Sequence, residues 1–235
     1  MKQPNPNPII WALDTTDLDW AKNLANKLSD VIGGVKLGLE LISAHGPKVV
    51  QEFSEGPLPI FLDLKFHDIP NTVAKAVLAT ASLGASLMTV HASGGRKMLE
   101  AAKDSAMKAE NPPKILAVTV PTSLVEDDLK ETGIYSSIDD QVLTLATLAK
   151  NSGCDGVICS PNEITILRNE FGNDFLLVVP GIRPAGTTIN DQKRIQTPLK
   201  AIQAGADRLV IGRPITQAND PHSLAKSILK ELSTS

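Results

Sequence analysis

Eight short apolar runs recur along this chain, each followed by a longer amphipathic stretch, and that alternation restricts the possible folds more than any other feature. The runs are IIWALD (9–14), GGVKLG (33–38), PIFLDLKF (59–66), SLMTVHAS (86–93), KILAVTV (114–120), GVICSP (156–161), FLLVVPGI (175–182) and RLVIGRPI (208–215). They are rich in Val, Ile and Leu, as parallel strands covered on both faces must be. The stretches between them have helical spacing. In DWAKNLANKLSD, residues Trp20, Leu24, Ala25 and Leu28 share one face. TVAKAVLATASLG and SIDDQVLTLATLAKNSG each run into a glycine stop, and PHSLAKSILKELS opens on proline. Eight strands alternating strictly with eight helices predict a parallel sheet, and eight units close it into a (β/α)8 TIM barrel. An open doubly wound sheet is the alternative. It usually carries a glycine-rich turn after the first strand, and WALDTTD has none. With no linker or low-complexity segment in the chain, residues 1–235 are expected to form a single barrel domain.

Composition narrows the function classes. At 42% hydrophobic and 21% charged residues the chain is an ordinary globular one, long enough to bury a core without staples. A net charge of −3 argues against a general nucleic-acid or anionic-membrane binder, although local charge still permits an anionic small substrate. Two cysteines, Cys154 at a helix–strand junction and Cys159 within a strand, fit reduced, buried thiols and a cytoplasmic setting. No His/Cys cluster has zinc spacing. The polar, proline-rich start MKQPNPNPII matches neither a signal peptide nor a membrane anchor.

Active sites of such barrels lie at the carboxyl ends of the strands. The polar residues there are Asp14, Lys36, Asp63 and Lys65 with Asp68 just beyond, then His91, Thr122 and Ser123, Pro180 and Arg183, and Gly212 and Arg213. Asp63 and Lys65 stand two apart on a strand, so they face one way, while Leu62, Leu64 and Phe66 face the helices. The bland alternative is a structural ion pair closing the barrel top. Lys36 on the neighbouring strand and Asp68 in the next loop favour a site, because alternating charges hold one another ionised while partly desolvated. VIGRPI offers Gly212 for close ligand approach and Arg213 as a phosphate donor, where loops after strands 7 and 8 usually bind phosphate. The long polar segment PGIRPAGTTINDQKRIQTP (180–198), with Arg183 and Gln192, has the length of a lid. Asp14 suits either a ribose hydroxyl or the N-cap of the next helix, and Thr122 and Ser123 are equally ambiguous. His91 reads as structural. His45, His67 and His222 show no partner in the sequence.

DLKFHDIPNT resembles the D-x-K-x-x-D-I-P-x-T signature of the orotidine 5′-phosphate decarboxylase family. The similarity continues in ALDTTD, VKLGLE, VHASGG, the TS after strand 5, VPGIRP, DQKRIQTP and IGRP, in an order that fits a full-length single-domain member. One departure is Pro121, where an aliphatic residue is more usual. The resemblance implies conversion of orotidine 5′-phosphate to UMP and CO2, without metal or organic cofactor, by a homodimer. It implies that Lys36, Asp63 and Lys65 serve their own subunit's site while Asp68 and Thr72 reach into the partner's. Arg183, Gln192, Gly212 and Arg213 would hold the phosphate, with Pro180 alongside. Asp14 would bind the ribose, and Thr122 and Ser123 would lie near the pyrimidine. Lys65 would stabilise and protonate the C6 carbanion, with Asp63 and Asp68 keeping it charged and aimed.

Two rivals compete. A related Mg²⁺-dependent barrel acting on sugar phosphates would put a carboxylate on strand 2, where this chain has Lys36, a residue that repels the ion. A non-catalytic nucleotide sensor would not need the Lys36–Asp63–Lys65–Asp68 array.

Overall fold

Strand β1 (Ile9–Leu13) is buried along its whole length, as a strand covered on both faces requires. Seven more parallel strands follow: β2 (Gly34–Leu37), β3 (Ile60–Phe66), β4 (Leu87–His91), β5 (Lys114–Val118), β6 (Gly156–Ile158), β7 (Leu176–Val179) and β8 (Arg208–Ile211). They pair in sequence order, and β8 returns to β1 through Ile9↔Leu209, Ile10↔Val210 and Trp11↔Ile211, which closes the expected barrel. This computed structural model describes residues 7–184 and 196–233.

Alternation along the strands creates two cores. Inward-facing Ile10, Ala12, Phe61, Leu116, Val118, Ile158, Val178 and Val210 fill the barrel. The outward residues, among them Trp11, Leu13, Leu37, Leu62, Met88 and Val90, join the helices in a much larger layer. The barrel interior is therefore packed at mid-height, and any site must lie above it.

Every apolar run begins within one residue of its strand, and all but the third, which ends with β3 at Phe66, continue past the carboxyl end of the ladder. The β5 run reaches Val120 and the β8 run Ile215, whereas the strands stop at Val118 and Ile211. Val120 and Ile215 remain buried and join the outer core. Cys159 accordingly lies just past β6 rather than within it, and both cysteines are buried thiols outside any disulfide. Burial, reinforced by Asp155, pushes the Cys154 thiol up to about 12. Eight connections hold eleven helices among the described residues rather than eight, because three of them are divided. After β2, Gly46 and Pro47 separate Leu39–His45 from Lys48–Ser54. Glu126–Glu131 precedes Ile138–Asn151, and Arg213–Thr216 precedes the terminal Pro221–Ser233. In helix Leu18–Leu28 the buried face is Ala21, Ala25 and Leu28; Trp20 sits at its rim, edge-on to Trp11 with centroids 6.0 Å apart.

At the bottom of the barrel one device recurs. Asp155, just before β6, accepts the Ile115 N–H at 2.8 Å and pairs with Lys103 at 2.7 Å. Asp207, just before β8, accepts the Leu177 N–H at 2.7 Å and pairs with Arg168 at 2.7 Å. Each carboxylate ties the start of one strand to its neighbour and to a helix. Removing Asp207 leaves the Leu177 N–H without its acceptor and takes the carboxylate from Arg168, which keeps its bonds to the Gly172, Phe175 and Gly205 carbonyls, a loss of about 2 kcal/mol. Asp207→Ala is therefore expected to lower the urea midpoint of unfolding by that equivalent. A midpoint unchanged from the parent would show that the strand tie contributes nothing.

Candidate active site

The site begins with an irregularity in β3. Between the pairs Leu62↔Met88 and Phe66↔Val90, β3 advances four residues while β4 advances two. Asp63, Leu64 and Lys65 occupy this bulge, and Lys65 has φ +52°, the only positive φ of a non-glycine residue among those described. Such a backbone costs on the order of 1 kcal/mol and persists only where its surroundings impose it. Asp63 and Lys65 do meet on the mouth side, but not through plain strand alternation: the bulge turns Lys65 back over Asp63, bringing Lys65 Nζ to 2.9 Å from Asp63 Oδ1.

Asp63 is 8% exposed, and it is surrounded by donors. Lys36 Nζ on β2 lies 3.5 Å from Oδ2, and the Thr89 hydroxyl on β4 donates to Oδ1 at 3.0 Å. Burial by itself would raise the carboxyl's pKa. The charges of Lys36 and Lys65, with hydrogen bonds from Lys65 and Thr89, outweigh that and hold it below its ordinary value. Lys36 also reaches Asp14 Oδ1 at 3.5 Å, so the chain Asp14–Lys36–Asp63–Lys65 spans β1 to β3. Asp14 is not the cap of the following helix; Asp17 is, accepting from Trp20 N at 2.9 Å. Two glycines leave room for the array. A Cβ on Gly38 would stand 2.9 Å from Lys36 Nζ, and one on Gly212 would stand 3.2 Å from Asp14 Oδ2.

Other expected residues occupy the same rim without joining these ion pairs. Thr122 and Ser123 form the turn after β5. Pro180 is half-buried at the end of β7, and Arg183 is buried. Arg183 N–H donates to Gln196 O at 2.9 Å, across an isolated bridge Ile182↔Gln196 that joins the two ends of the long connection. Arg213 is half-buried at the end of β8. Gln192 lies outside the described residues. Asp68 stands outside the ion pairs of this array: it is exposed, and its Oδ1 accepts its neighbour Ile69 N–H at 2.6 Å. Thr72 is exposed in the first turn of helix Pro70–Ala81.

Sequence reasoning missed three features. Thr89 is fully buried at an inward position of β4, and the visible sign was a lone hydroxyl inside an apolar run. His67 stacks obliquely on His91 with centroids 5.4 Å apart, beside Lys65. The remaining histidines also have partners: His45 Nε2 lies 2.7 Å from Thr16 O, and His222 Nε2 lies 3.0 Å from Asp30 Oδ1. Burial, helped by His67 and Lys65 and opposed by Asp63, pulls His91 below the ordinary imidazole value.

A parallel eight-stranded barrel that gathers lysines and carboxylates at the carboxyl ends of its first three strands has the architecture of a barrel enzyme. The family model for "Orotidine 5'-phosphate decarboxylase / HUMPS family" matches residues 7–228, and the chain belongs to that family. The chain is 51% identical to orotidine 5′-phosphate decarboxylase of Rhodospirillum rubrum, covering 99% of this chain and 96% of that one. It is 49% identical to the Wolbachia protein of the same name, covering 97% of this chain and all of the other. The crystal structure of orotidine 5′-phosphate decarboxylase from Lactobacillus acidophilus superposes with a TM-score of 0.84 at 43% identity, covering 96% of this chain and 99% of that one.

The His91 shift has a definite sign. Its folded pKa lies below the unfolded value, so the stability it contributes is present above about 6.5, the unperturbed imidazole value, and is lost as pH falls through the folded pKa. Thermal unfolding followed between pH 7 and pH 5 should show a falling midpoint, and His91→Gln should flatten that slope. An identical slope in the variant would remove His91 as its source.

Proposed function

We propose that this chain decarboxylates orotidine 5′-phosphate to UMP and CO2, a step of pyrimidine biosynthesis, with Lys65 as the group that stabilises and protonates the C6 carbanion. The observation that carries the proposal is the buried Asp63 carboxylate held between Lys36 and Lys65 at the barrel mouth. Family membership and the names of the full-length relatives point to the same substrate.

The chemistry asks for what the array supplies. As the C6–carboxyl bond breaks, its electron pair stays on C6, where the ring delocalises it poorly. An ammonium fixed beside that carbon offsets the developing charge without reorganising, and its proton then forms the new C6–H bond. Asp63 fixes Lys65 Nζ from one side, while Lys36 and Asp14 extend the polar wall toward the ribose. Arg183, Gln192, Gly212 and Arg213, with Pro180 beside them, are assigned to the phosphate, and Thr122 and Ser123 to the pyrimidine. Phosphate contacts lie far from C6, yet their binding energy serves the transition state by fixing the substrate and excluding water.

No metal enters this scheme. Lys36 Nζ stands 3.5 Å from both Asp14 and Asp63, so a cation already fills the space between the two carboxylates where an ion would sit. The Mg²⁺-dependent alternative is thereby disfavoured on geometry. Wild-type protein should deplete orotidine 5′-phosphate in a spectrophotometric assay and keep doing so in EDTA. Lys65→Ala should fold normally and lose at least about 10³-fold in kcat; substantial remaining turnover would remove Lys65 from the acid role.

The proposed working form is a homodimer with a shared site. Asp68 and Thr72 are exposed and stand outside the Asp14–Lys36–Asp63–Lys65 ion pairs, and beside them Ile69 is 67% exposed. An apolar side chain that open, next to two exposed polar groups, suits a self-complementary contact at the mouth. No helix among the described residues is long and apolar enough to cross a membrane. Mixing inactive Lys65→Ala with inactive Asp68→Ala should restore activity as heterodimers form; no recovery after confirmed subunit exchange would count against a shared site.

A further inference from the structure

We propose that Thr89 is a positioning residue of the decarboxylase site, its single hydroxyl setting both the backbone and the ammonium of Lys65. The inference rests on the assignment of Lys65 and Asp63 to catalysis. Thr89 Oγ1 accepts the Lys65 backbone N–H at 2.9 Å and donates to Asp63 Oδ1 at 3.0 Å. That same Oδ1 lies 2.9 Å from Lys65 Nζ. The contacts close a ring: Lys65 backbone to Thr89 hydroxyl, hydroxyl to carboxylate, carboxylate to Lys65 ammonium.

The direction of each bond in the ring is determined. A backbone N–H can only donate, so the hydroxyl oxygen must accept from Lys65. A carboxylate can only accept, so the hydroxyl proton must go to Asp63. Thr89 is fully buried, leaving no water to substitute for either bond. The bond to Lys65 falls in the bulge, where β3 has lost its regular pairing with β4 and Lys65 has its left-handed backbone. The hydroxyl thus takes the place of a missing ladder acceptor and holds the conformation from which the side chain turns back over Asp63. It also shares Oδ1 with Lys65 Nζ, so the carboxylate oxygen that holds the ammonium is itself held by the hydroxyl. A serine hydroxyl can make the same two bonds. Valine has the shape of threonine without them and leaves a backbone donor and one carboxylate bond unmade.

The test uses the full chain with orotidine 5′-phosphate as substrate, and wild-type turnover is measured first; its absence would overturn the assigned reaction itself, and this inference with it. Given wild-type turnover, Thr89→Val is expected to lose about 30-fold in kcat with KM changed less than about threefold, since a misplaced catalytic group affects the chemical step more than binding. Thr89→Ser should retain kcat within about threefold. The acid limb of kcat against pH should also move to higher pH in Thr89→Val, because Asp63 loses one of the bonds that favour its ionised form. Circular dichroism and the active fraction confirm that each variant is folded, and Thr89→Ala replaces the valine variant if that one does not fold. The role is overturned if the hydroxyl-free variant keeps wild-type kcat, if the serine variant loses as much as it does, or if the loss lies in KM alone.

Discussion

The buried carboxylate of Asp63 is the constraint around which the mouth of this barrel is organised. A carboxylate taken out of water is costly unless its oxygens are met by donors. Here one oxygen takes the Thr89 hydroxyl and Lys65, and the other faces Lys36. The three donors come from three adjacent strands, so the charge can be satisfied only after β2, β3 and β4 have paired. Satisfying it also gathers two ammonium groups at one point, next to a barrel interior that is otherwise hydrocarbon. The same arrangement that makes the carboxylate tolerable provides the cationic patch that the proposed carbanion would need.

Keeping that patch open depends on what is absent as much as on what is present. Gly38 and Gly212 lie against Lys36 and Asp14, and a methyl group at either would press on the charged ends. The bulge in β3 is of the same kind: it gives up regular ladder bonds so that Lys65 can turn back toward Asp63. Sites of this sort trade local regularity for the placement of a few atoms, and the regular remainder of the barrel holds them there. The bottom of the barrel shows the other half of the division. Asp155 and Asp207 pair with Lys103 and Arg168 to tie strand starts together, using the same residue types for stability at the end away from the mouth.

Much of this was legible in the chain. The eight apolar runs begin at the strands they form, because strands buried on both faces need unbroken Val, Ile and Leu. Strand ends were less legible: Val120 and Ile215 are as apolar as true strand residues, but they join the outer core after the ladder has stopped. Helix number was misjudged where a single glycine–proline pair, Gly46–Pro47, divides one connection. Within the site, Asp14, Lys36, Asp63 and Lys65 were all picked out, since charges at strand ends are conspicuous. Thr89 was not, because one hydroxyl in an apolar run carries no local sign of what it bonds. The histidine partners Thr16, Asp30 and the His67–His91 pair were hidden for the same reason.

By itself, the sequence determined the repeated βα unit, the closure into eight strands and the set of ionisable groups at the mouth. All of these follow from side-chain periodicity and residue type, which are local properties. Only the tertiary structure decided that Lys65 meets Asp63 through a bulge rather than through plain alternation, that Asp68 stays outside their ion pairs, and that Thr89 closes the ring between Asp63 and Lys65. The bonds responsible join residues 24 and 26 positions apart on neighbouring strands. Their existence depends on the register between β3 and β4, which is set by how the whole barrel closes and has no counterpart in the local pattern of either strand.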